Sequence, residues 1–507
     1  MAREDSAHDG ERVLRVPSGA GPDVVRDVPT AYVTVGDAAI ASQTRRTRGQ
    51  GCASFQTQTR WIGCLTHVKT RSKHRVRVDR PHLHKQLSIL ATNLEQAVNQ
   101  VGECVVREVF RVFVAERHRP AQAGAFTVLA AFALVRDDLI KVIALATGTK
   151  CLPLDRLPPA GDALHDSHAE VVARRAALRW FMEEIGRARA AVPPNSSRWL
   201  APTAEGKWTL RLDVQVFFYV SMLPCLFILF KGLAAKLTIS SFEGGDASMG
   251  QLALQQDPEI TAQVTNVKFP SLDENVASRG RVDFSRLGVL RTKPGRVDSP
   301  PTACMSCSDK VALWTVCGIQ GALAVSLLNP VYTDIIIIGD VPIEFRTSVA
   351  SDCERAFATR IQRAQATFKI HPPRVIFTDA QFSFSRTTVC SSTSAHESLC
   401  WIADTEKKAE VFIDGIRRGI NPRQRLKPGT RPLVSKASLF ELWARLITDG
   451  KQALTDQPRF KDITYAIAKT MSPEYVMAKA ALRGPGQPFA GWKMSNTDGH
   501  LEQFTIC

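Results

Sequence analysis

Apolar residues recur at helical spacing in several parts of the chain. Between residues 81 and 116 they return every three or four positions, which predicts helices leading into a domain. A second stretch follows Asp166 and Ser167, either of which can cap a helix N-terminus, and it ends at Pro193-Pro194. The same spacing covers Lys310–Leu328 and most of the chain beyond Lys436, so the C-terminal region is predicted to be largely helical.

Short, continuous apolar runs alternate with these helices and predict buried strands. They cover Ile140–Ala146, Trp208–Leu212, Val214–Val220, Asp334–Gly339 and Arg374–Phe377. Strands that alternate with helices are typical of an α/β or α+β domain.

The N-terminal region lacks this periodicity and is strongly basic. Between Arg45 and Lys85 eleven Lys and Arg residues stand against one acid, Asp79. We therefore predict a disordered, basic extension over residues 1–99 and a folded domain over residues 100–507. The formal net charge of the whole chain is +16, which favours a polyanionic partner such as RNA, DNA or an anionic membrane. The alternative is a basic tail on a neutral domain.

Cysteine usage and hydropathy limit where the protein works. The twelve cysteines are scattered, and no apolar signal-peptide stretch follows Met1, so we expect a reducing compartment, the nucleus or cytoplasm. The uncharged run Val214–Phe230 approaches the length of a membrane span, but it contains Gln215 and Pro224. A strand followed by a loop is the favoured interpretation, no membrane association is expected, and membrane attachment is the alternative.

One set of residues has the composition of a catalytic zinc site. His168 and Glu170, at the start of the second helix, can place an imidazole on a metal and a carboxylate beside its bound water. Pro224-Cys225 follows a strand, and Cys304 and Cys307 are separated by two residues. An imidazole, two thiolates and a water make an open tetrahedral site. Taken singly, Glu170 is also explained as a solvated carboxylate and Cys225 as a buried core cysteine.

Longer stretches follow the pattern of one family. They are Ala146-Thr-Gly-Thr-Lys-Cys-Leu-Pro153, Asp166-Ser-His-Ala-Glu-Val-Val-Ala-Arg-Arg175, Gly245-Asp-Ala-Ser-Met249, Leu290-Arg-Thr-Lys-Pro-Gly-Arg296, and Met305-Ser-Cys-Ser-Asp-Lys310 continuing to Gly318-Ile-Gln-Gly321. In this series the chain resembles the RNA adenosine deaminases, which comprise the enzymes acting on tRNA and the related editors of double-stranded RNA. The resemblance implies a cytidine-deaminase-like mixed sheet flanked by helices, with a helical C-terminal region.

The resemblance also implies the metal ligands. It assigns zinc to His168, Cys225 and Cys307, makes Glu170 the proton shuttle, and leaves Cys304 without a role. The spacing alone would pair Cys304 with Cys307, as in the short cytidine-type motif. The reaction implied is hydrolytic attack of water on C6 of adenine, which yields inosine and ammonia.

Substrate contacts are implied in two segments. Thr149 and Lys150 match a segment that grips the flipped nucleotide, and Arg291, Lys293 and Arg296 form a basic loop suited to phosphates. The simpler explanations are a strand-to-helix turn and a solvated run of charge. The basic loop resembles that of the tRNA enzymes, and residues 1–99 contain no recognisable double-stranded-RNA-binding module. We therefore expect tRNA as the substrate, at the adenosine just 3′ of the anticodon in alanine tRNA.

A second cofactor, inositol hexakisphosphate, is implied in the core. The positions that match its cage are Arg174, Arg175, Lys310, Trp314, Gln320, Lys436, Tyr465, Lys469, Tyr475, Lys479 and Trp492. Leu313 and Ala322 replace polar residues of the duplex editors, and His165 replaces an asparagine, so the cage departs from the pattern. A solvated basic helix face is the alternative.

The chain departs from the family between Cys225 and Gly245. The pattern runs from Pro-Cys directly into Gly-Asp-Ala-Ser, whereas here the apolar insertion Leu226–Gly244 intervenes. It is either a translated intron or a genuine surface insertion, and sequencing the transcript distinguishes the two. The other functions left open are an editor of double-stranded or messenger RNA and a non-catalytic RNA-binding protein that keeps a structural zinc. No obligate protein partner is predicted.

Overall fold

The computed structural model describes residues 80–120, 122–223, 277–279, 290–293, 300–362, 369–391, 393–406, 409–449, 463–494 and 500–505. Its strands are β1 (Leu129–Arg136), β2 (Leu139–Thr147), β3 (Leu200–Pro202), β4 (Trp208–Leu210), β5 (Gln215–Val220), β6 (Ser278–Arg279), β7 (Arg291–Thr292), β8 (Ile335–Ile338), β9 (Arg374–Phe377), β10 (Glu397–Ile402), β11 (Glu410–Ile413) and β12 (Ile416–Arg417).

The helices flank these strands on both sides. They are α1 (Arg80–Ala115), α2 (Ala169–Ala190), α3 (Cys307–Cys317), α4 (Gly321–Ala324), α5 (Arg346–Glu354), α6 (Arg360–Gln362), α7 (Arg386–Val389), α8 (Lys436–Asp449), α9 (Tyr465–Thr470) and α10 (Pro473–Arg483). A π-helical turn, Arg355–Thr359, joins α5 to α6.

Eight strands form one mixed sheet in the order β12-β11-β10-β2-β1-β5-β8-β9. The strands from β12 to β5 pair antiparallel, whereas β5, β8 and β9 pair parallel. Two small two-stranded sheets, β3-β4 and β6-β7, lie outside it. The mixed sheet with flanking helices confirms the predicted α/β fold class.

Both faces of the central sheet are covered. On β5, Phe217 and Tyr219 point toward the face that α1 covers, while Phe218 packs on the opposite face with residues of α2 and α3. Strand β8 is buried on both faces, which explains why it consists of four isoleucines. Helix α1 crosses the boundary predicted at residues 99 and 100, because its buried Val98 already belongs to the core.

Two of the predicted helix boundaries were wrong. The single helix expected over Lys310–Leu328 is broken into α3 and α4, because Gly318 has φ +71° and a Cβ there would lie 2.1 Å from Oε1 of Gln320. Helix α2 has His168 as its N-cap, rather than Asp166 or Ser167. The Asp166 carboxylate instead accepts a hydrogen bond from the backbone N–H of His168 at 3.0 Å.

The C-terminal helices are present as predicted and pack on the sheet-covering layer. Helix α8 contacts α2, α9 contacts α4, and α10 contacts α3. In the described parts of the chain, no helix is both long enough and apolar enough to cross a membrane. The insertion Leu226–Gly244 lies outside the described residues.

Candidate active site

The N-terminus of α2 is fixed against the end of β2. The backbone N–H of Ala169 donates to the carbonyl of Gly148 at 3.0 Å, and Cys151 forms an isolated bridge with Asp166. Gly148 has φ +141°, and a Cβ there would lie 2.1 Å from the carbonyl oxygen of Ser167. Only glycine permits this close approach of the two loops. The result places His168 at the cap of α2 and the buried Glu170 in its first turn.

The imidazole of His168 is oriented by Asp166. Nδ1 of His168 lies 2.8 Å from Oδ1 of Asp166, which leaves Nε2 as the ring nitrogen available to a metal. Oδ2 of the same carboxylate accepts from Nζ of Lys293 at 3.1 Å and from Nζ of Lys310. Burial raises the pKa of Asp166, but Lys293 and Lys310 outweigh it and hold that pKa well below its usual range.

The sulfur of Cys307 belongs to the same cluster. Cys307 is the first residue of α3, where Ser306 caps the helix by accepting from the backbone N–H of Asp309 at 3.0 Å. Nζ of Lys293 lies 2.9 Å from its Sγ. A helix N-terminus and an ammonium group both stabilise negative charge on a sulfur. One ammonium group, that of Lys293, therefore connects Cys307 to the carboxylate that orients His168.

A buried ion pair holds α3 in place. Asp309 accepts from the hydroxyl of Ser306 at 2.9 Å, from the backbone N–H of Arg291 at 3.1 Å, and from Nη1 of Arg360 at 2.7 Å. The carboxylate of Asp309 is fully buried, so its charge needs this guanidinium. The segment before Cys307 is thereby anchored to β7 and α6.

A cationic cavity of about 250 Å³ adjoins the cluster, and Asp166 and Lys310 line both. Its lining combines seven Lys and Arg side chains with two carboxylates. The cations are Arg175, Lys310, Lys436, Lys469, Lys479, Arg483 and Lys493, and the carboxylates are Asp166 and Glu502.

Part of this charge is balanced within the protein. Glu502 pairs with Lys436 at 3.0 Å and with Lys469 at 2.5 Å. Arg175 donates from Nε to the carbonyl of Val434, but its buried Nη2 has no hydrogen-bond partner among the described residues. Burial lowers the pKa of Arg175, as it does that of Lys436. The cavity therefore holds cations that are desolvated without full compensation.

Comparison with known proteins agrees with this geometry. The model of the adenosine-deaminase (editase) domain matches residues 144–495, well over half of the chain. This chain belongs to that family.

Its similarity to the two tRNA-specific relatives named here covers most of both chains. The tRNA-specific adenosine deaminase 1 of Schizosaccharomyces pombe is 28% identical over 63% of this chain and 75% of its own length. The protein of the same name from Mus musculus is 25% identical over 71% and 88%. The double-stranded RNA-specific adenosine deaminase of Rattus norvegicus is 30% identical, but over 42% of this chain and 17% of its own length.

The deaminase site brings together two of the three predicted metal ligands, His168 and Cys307, through Asp166 and Lys293. The third, Cys225, lies outside the described residues. Within the described ranges no group of three or more His, Cys, Asp or Glu residues could hold a metal. The donor set nevertheless fits zinc. An oriented imidazole and a sulfur beside a cation supply two of the three protein ligands of a catalytic zinc site, and one further thiolate would supply the third.

The predicted substrate residues fall into two groups. Thr149 and Lys150 lie in the loop after β2, where Nζ of Lys150 donates to the hydroxyl of Ser394 at 2.8 Å. Arg291 and Lys293 do not form the solvent-facing phosphate loop that their charge predicted, since they are only 4% and 1% exposed. Their backbone pairs with the segment before Cys307, which turns Lys293 toward the cluster. Arg296 lies outside the described residues.

The predicted cage residues also divide. Six of them line the cavity, namely Arg175, Lys310, Lys436, Lys469, Lys479 and Trp492. The remaining five are not among its lining residues: Arg174 stacks over Trp314, Tyr465 stacks on Phe504, Gln320 accepts from the backbone N–H of Val331, and Tyr475 is partly buried against the apolar core.

Sequence reasoning missed three of the charged lining residues, Arg483, Lys493 and Glu502. For Arg483 a signal existed, since it follows Lys479 by four residues on a predicted helix. It also missed the surroundings of Cys304, whose thiol lies 3.5 Å from the carbonyl of His165 and close to the thiol of Cys151, which lowers the pKa of Cys304.

Proposed function

We propose that this chain deaminates adenosine to inosine in tRNA, with zinc held by His168, Cys225 and Cys307. The observation that carries the proposal is the continuous chain of contacts from His168 through Asp166 and Lys293 to Cys307. These contacts orient one ligand and supply positive charge beside another. The buried carboxylate of Glu170 follows His168 by two residues in the sequence and lies in the first turn of α2. A zinc ion bound there lowers the pKa of its water toward ~7.

The protein residues then handle the protons. Glu170 takes a proton from the attacking water and delivers it to N1 of the adenine. It then takes the proton of the hydroxyl formed at C6 and transfers it to the departing amino group. Water adds to C6 and ammonia leaves, so that adenosine and water give inosine and ammonia. Asp166 keeps the His168 ring in one orientation throughout, because its second oxygen is held by two lysines.

tRNA is the proposed substrate because the relatives that cover most of this chain are named for it. A tRNA loop already presents unstacked bases, so no separate unwinding module is needed. We extend the proposal to the adenosine 3′ of the anticodon in alanine tRNA. Inositol hexakisphosphate is the proposed ligand of the cationic cavity, since a polyphosphate supplies the counter-charge that the buried cations lack.

The test is detection of inosine in alanine tRNA after incubation with the purified protein, with a perfect RNA duplex as the competing substrate. Zinc content is measured on the same preparation. Inosine in the tRNA and not in the duplex supports the proposal, whereas inosine in the duplex alone replaces tRNA with double-stranded RNA. A zinc-loaded protein that forms no inosine, with and without Leu226–Gly244, is a binding protein and overturns the catalytic assignment.

A further inference from the structure

One face of α10 carries a tyrosine and two basic side chains at regular spacing. Tyr475, Lys479 and Arg483 follow one another at intervals of four residues, which places them on the same side of the helix. Lys479 and Arg483 both line the cavity. Arg483 thus extends the basic row by one more helical turn.

The guanidinium of Arg483 is fixed in position without an acidic partner. It stacks over the ring of Trp492 at 4.5 Å, and its Nη1 lies 3.2 Å from Sδ of Met494. A thioether is a weak acceptor that cannot neutralise the charge. The buried Nε has no hydrogen-bond partner in the described part of the chain, and none of the ion pairs formed there includes Arg483.

This arrangement is costly while the cavity lacks an anion. Burial lowers the pKa of Arg483 to about 10. Burial, with Arg483 and Lys469 close by, lowers the pKa of Lys479 to about 7. Two desolvated cations on adjacent turns repel one another, and an anion shared between them removes both penalties.

We propose that Arg483 is a direct ligand of the cavity's polyanion and that it binds one phosphate group jointly with Lys479. A guanidinium presents parallel N–H groups that match two phosphate oxygens, and stacking on Trp492 fixes the plane of that fork. The inference rests on the proposed polyphosphate cofactor and adds to it a residue outside the predicted cage.

The helix that carries Arg483 packs against the helix that carries Leu313, one of the positions where the chain departs from the cage pattern. Leu313, on α3, stands where the duplex editors have a polar residue, and here it is a buried part of the apolar core. Helix α10 packs against α3, so a cation supplied from α10 reaches the cavity from the neighbouring element. Arg483 therefore brings a guanidinium to the cavity lining from the helix that packs against α3.

The test compares three variants of the full chain: Arg483→Met, Arg483→Lys, and Arg445→Met as a control. Arg445 is an exposed arginine on α8 away from the cavity lining. Inositol hexakisphosphate is released by denaturation and quantified per protein molecule, and its affinity is measured by titration into protein made in cells that lack the polyphosphate. Thermal unfolding with and without added inositol hexakisphosphate gives a readout independent of catalysis.

We expect Arg483→Met to weaken binding by about 10- to 100-fold, the usual worth of hydrogen bonds to a charged group. Its stabilisation by added ligand should fall accordingly. Arg483→Lys should lie between Arg483→Met and the unaltered protein, because it keeps the charge and loses the fork. Arg445→Met should bind as the unaltered protein does.

The outcomes separate the two proposals. If the unaltered protein neither contains nor binds the polyphosphate, the proposed cofactor fails. If the unaltered protein binds the polyphosphate and both Arg483 variants bind it as tightly as the unaltered protein does, the cofactor stands and the role of Arg483 is overturned. Should Arg483→Met fail to fold, the comparison of Arg483→Lys with the unaltered protein decides, and equal affinity there contradicts the proposal.

Discussion

Two adjoining regions of this molecule hold buried charge in opposite ways. Around Asp166 each charge has a partner, because the carboxylate faces Lys293 and Lys310 and Lys293 also contacts the sulfur of Cys307. In the cavity, seven cations face two carboxylates, and one of those carboxylates is Asp166 itself. The first region keeps its geometry with the protein's own groups, whereas in the second the cations outnumber the carboxylates that line the cavity.

The largest expected effect comes from a substitution that changes the first region alone. Glu170→Ala should lower deamination by at least about 10²–10⁴-fold, the usual contribution of a positioned acid or base. Zinc content and polyphosphate content should stay unchanged, because Glu170 is proposed as a ligand of neither. Inosine formation and metal analysis on one preparation check this. Glu474→Ala is the matched control, since Glu474 is an exposed carboxylate in the first turn of α10. Loss of zinc from Glu170→Ala would contradict the assignment.

The next change affects both regions. Asp166→Asn leaves Lys293 and Lys310 without their carboxylate and weakens the hydrogen bond that orients His168. We expect the free energy of unfolding to fall by about 3–5 kcal/mol, as when a buried ion pair loses one member. Zinc affinity should fall by about 10- to 100-fold. Denaturant unfolding and metal titration measure the two effects.

The control for Asp166→Asn is Asp379→Asn. The carboxylate of Asp379 pairs with Arg346, but its side chain is 88% exposed, so its loss should cost no more than about 1 kcal/mol. Similar losses in the two variants would show that the Asp166 cluster is no more than a surface ion pair in energetic terms.

A pH-dependent prediction belongs to the cavity. The charged and titratable groups that face Lys479 come from several elements. They are Arg483 on the same helix, Lys469 on α9, Cys317 on α3 and Glu502 near the C-terminus. The pKa of Lys479, about 7 in the folded chain, lies below its ordinary value of 10.5. Between these values the unfolded chain binds a proton that the folded chain has released, so the ligand-free protein should gain stability as the pH rises through this window.

Binding of a polyanion should reverse this ionisation. Near pH ~8.5 we expect uptake of up to about one proton, because an anion beside Lys479 favours its charged form. Calorimetric titration with inositol hexakissulfate, whose groups do not titrate, in buffers of different ionisation enthalpy measures the uptake. Lys479→Met should remove it. Uptake that persists in Lys479→Met would assign the proton to another group.

The smallest expected effect is at Cys304. Cys304→Ser should leave zinc content unchanged and alter stability by about 1 kcal/mol, since its thiol contacts the carbonyl of His165 and the thiol of Cys151. Cys307→Ser, by comparison, should lose zinc. Metal analysis of both variants checks the choice of ligand, and loss of zinc from Cys304→Ser would reverse it.

Elements with continuous apolar character were predictable from the sequence, and elements defined by distant contacts were not. Strands β2 and β8 are buried along most or all of their length, and their composition predicts them. Strands β10 and β11 begin with Glu397 and Glu410, whose buried carboxylates are paired with Arg418 and Arg417. Because those pairs exist only after folding, a charged first residue gives no sign in the sequence that the short apolar run after it forms a buried strand.

The candidate site shows the same limit. The motif around His168 and Glu170 predicts their chemistry because both lie on one short segment. The role of Lys293 was not predictable, since it depends on contact with Asp166, which is 127 residues away in sequence. A lysine in a basic segment favours a surface position, and only the folded sheet shows that β7 turns it inward.

The position of β1 determines where the chain can be shortened for structural work. A fragment cut at residue 144, where the family match begins, would lack the strand that pairs with both β2 and β5. A fragment cut at residue 100 would keep β1 but remove more than half of the 36-residue helix α1. Crystallisation trials on a minimal catalytic fragment should therefore start ahead of Val98, because the α1 residues from Val98 to Phe113 cover the apolar underside of the sheet, and their loss would expose it to water and favour precipitation.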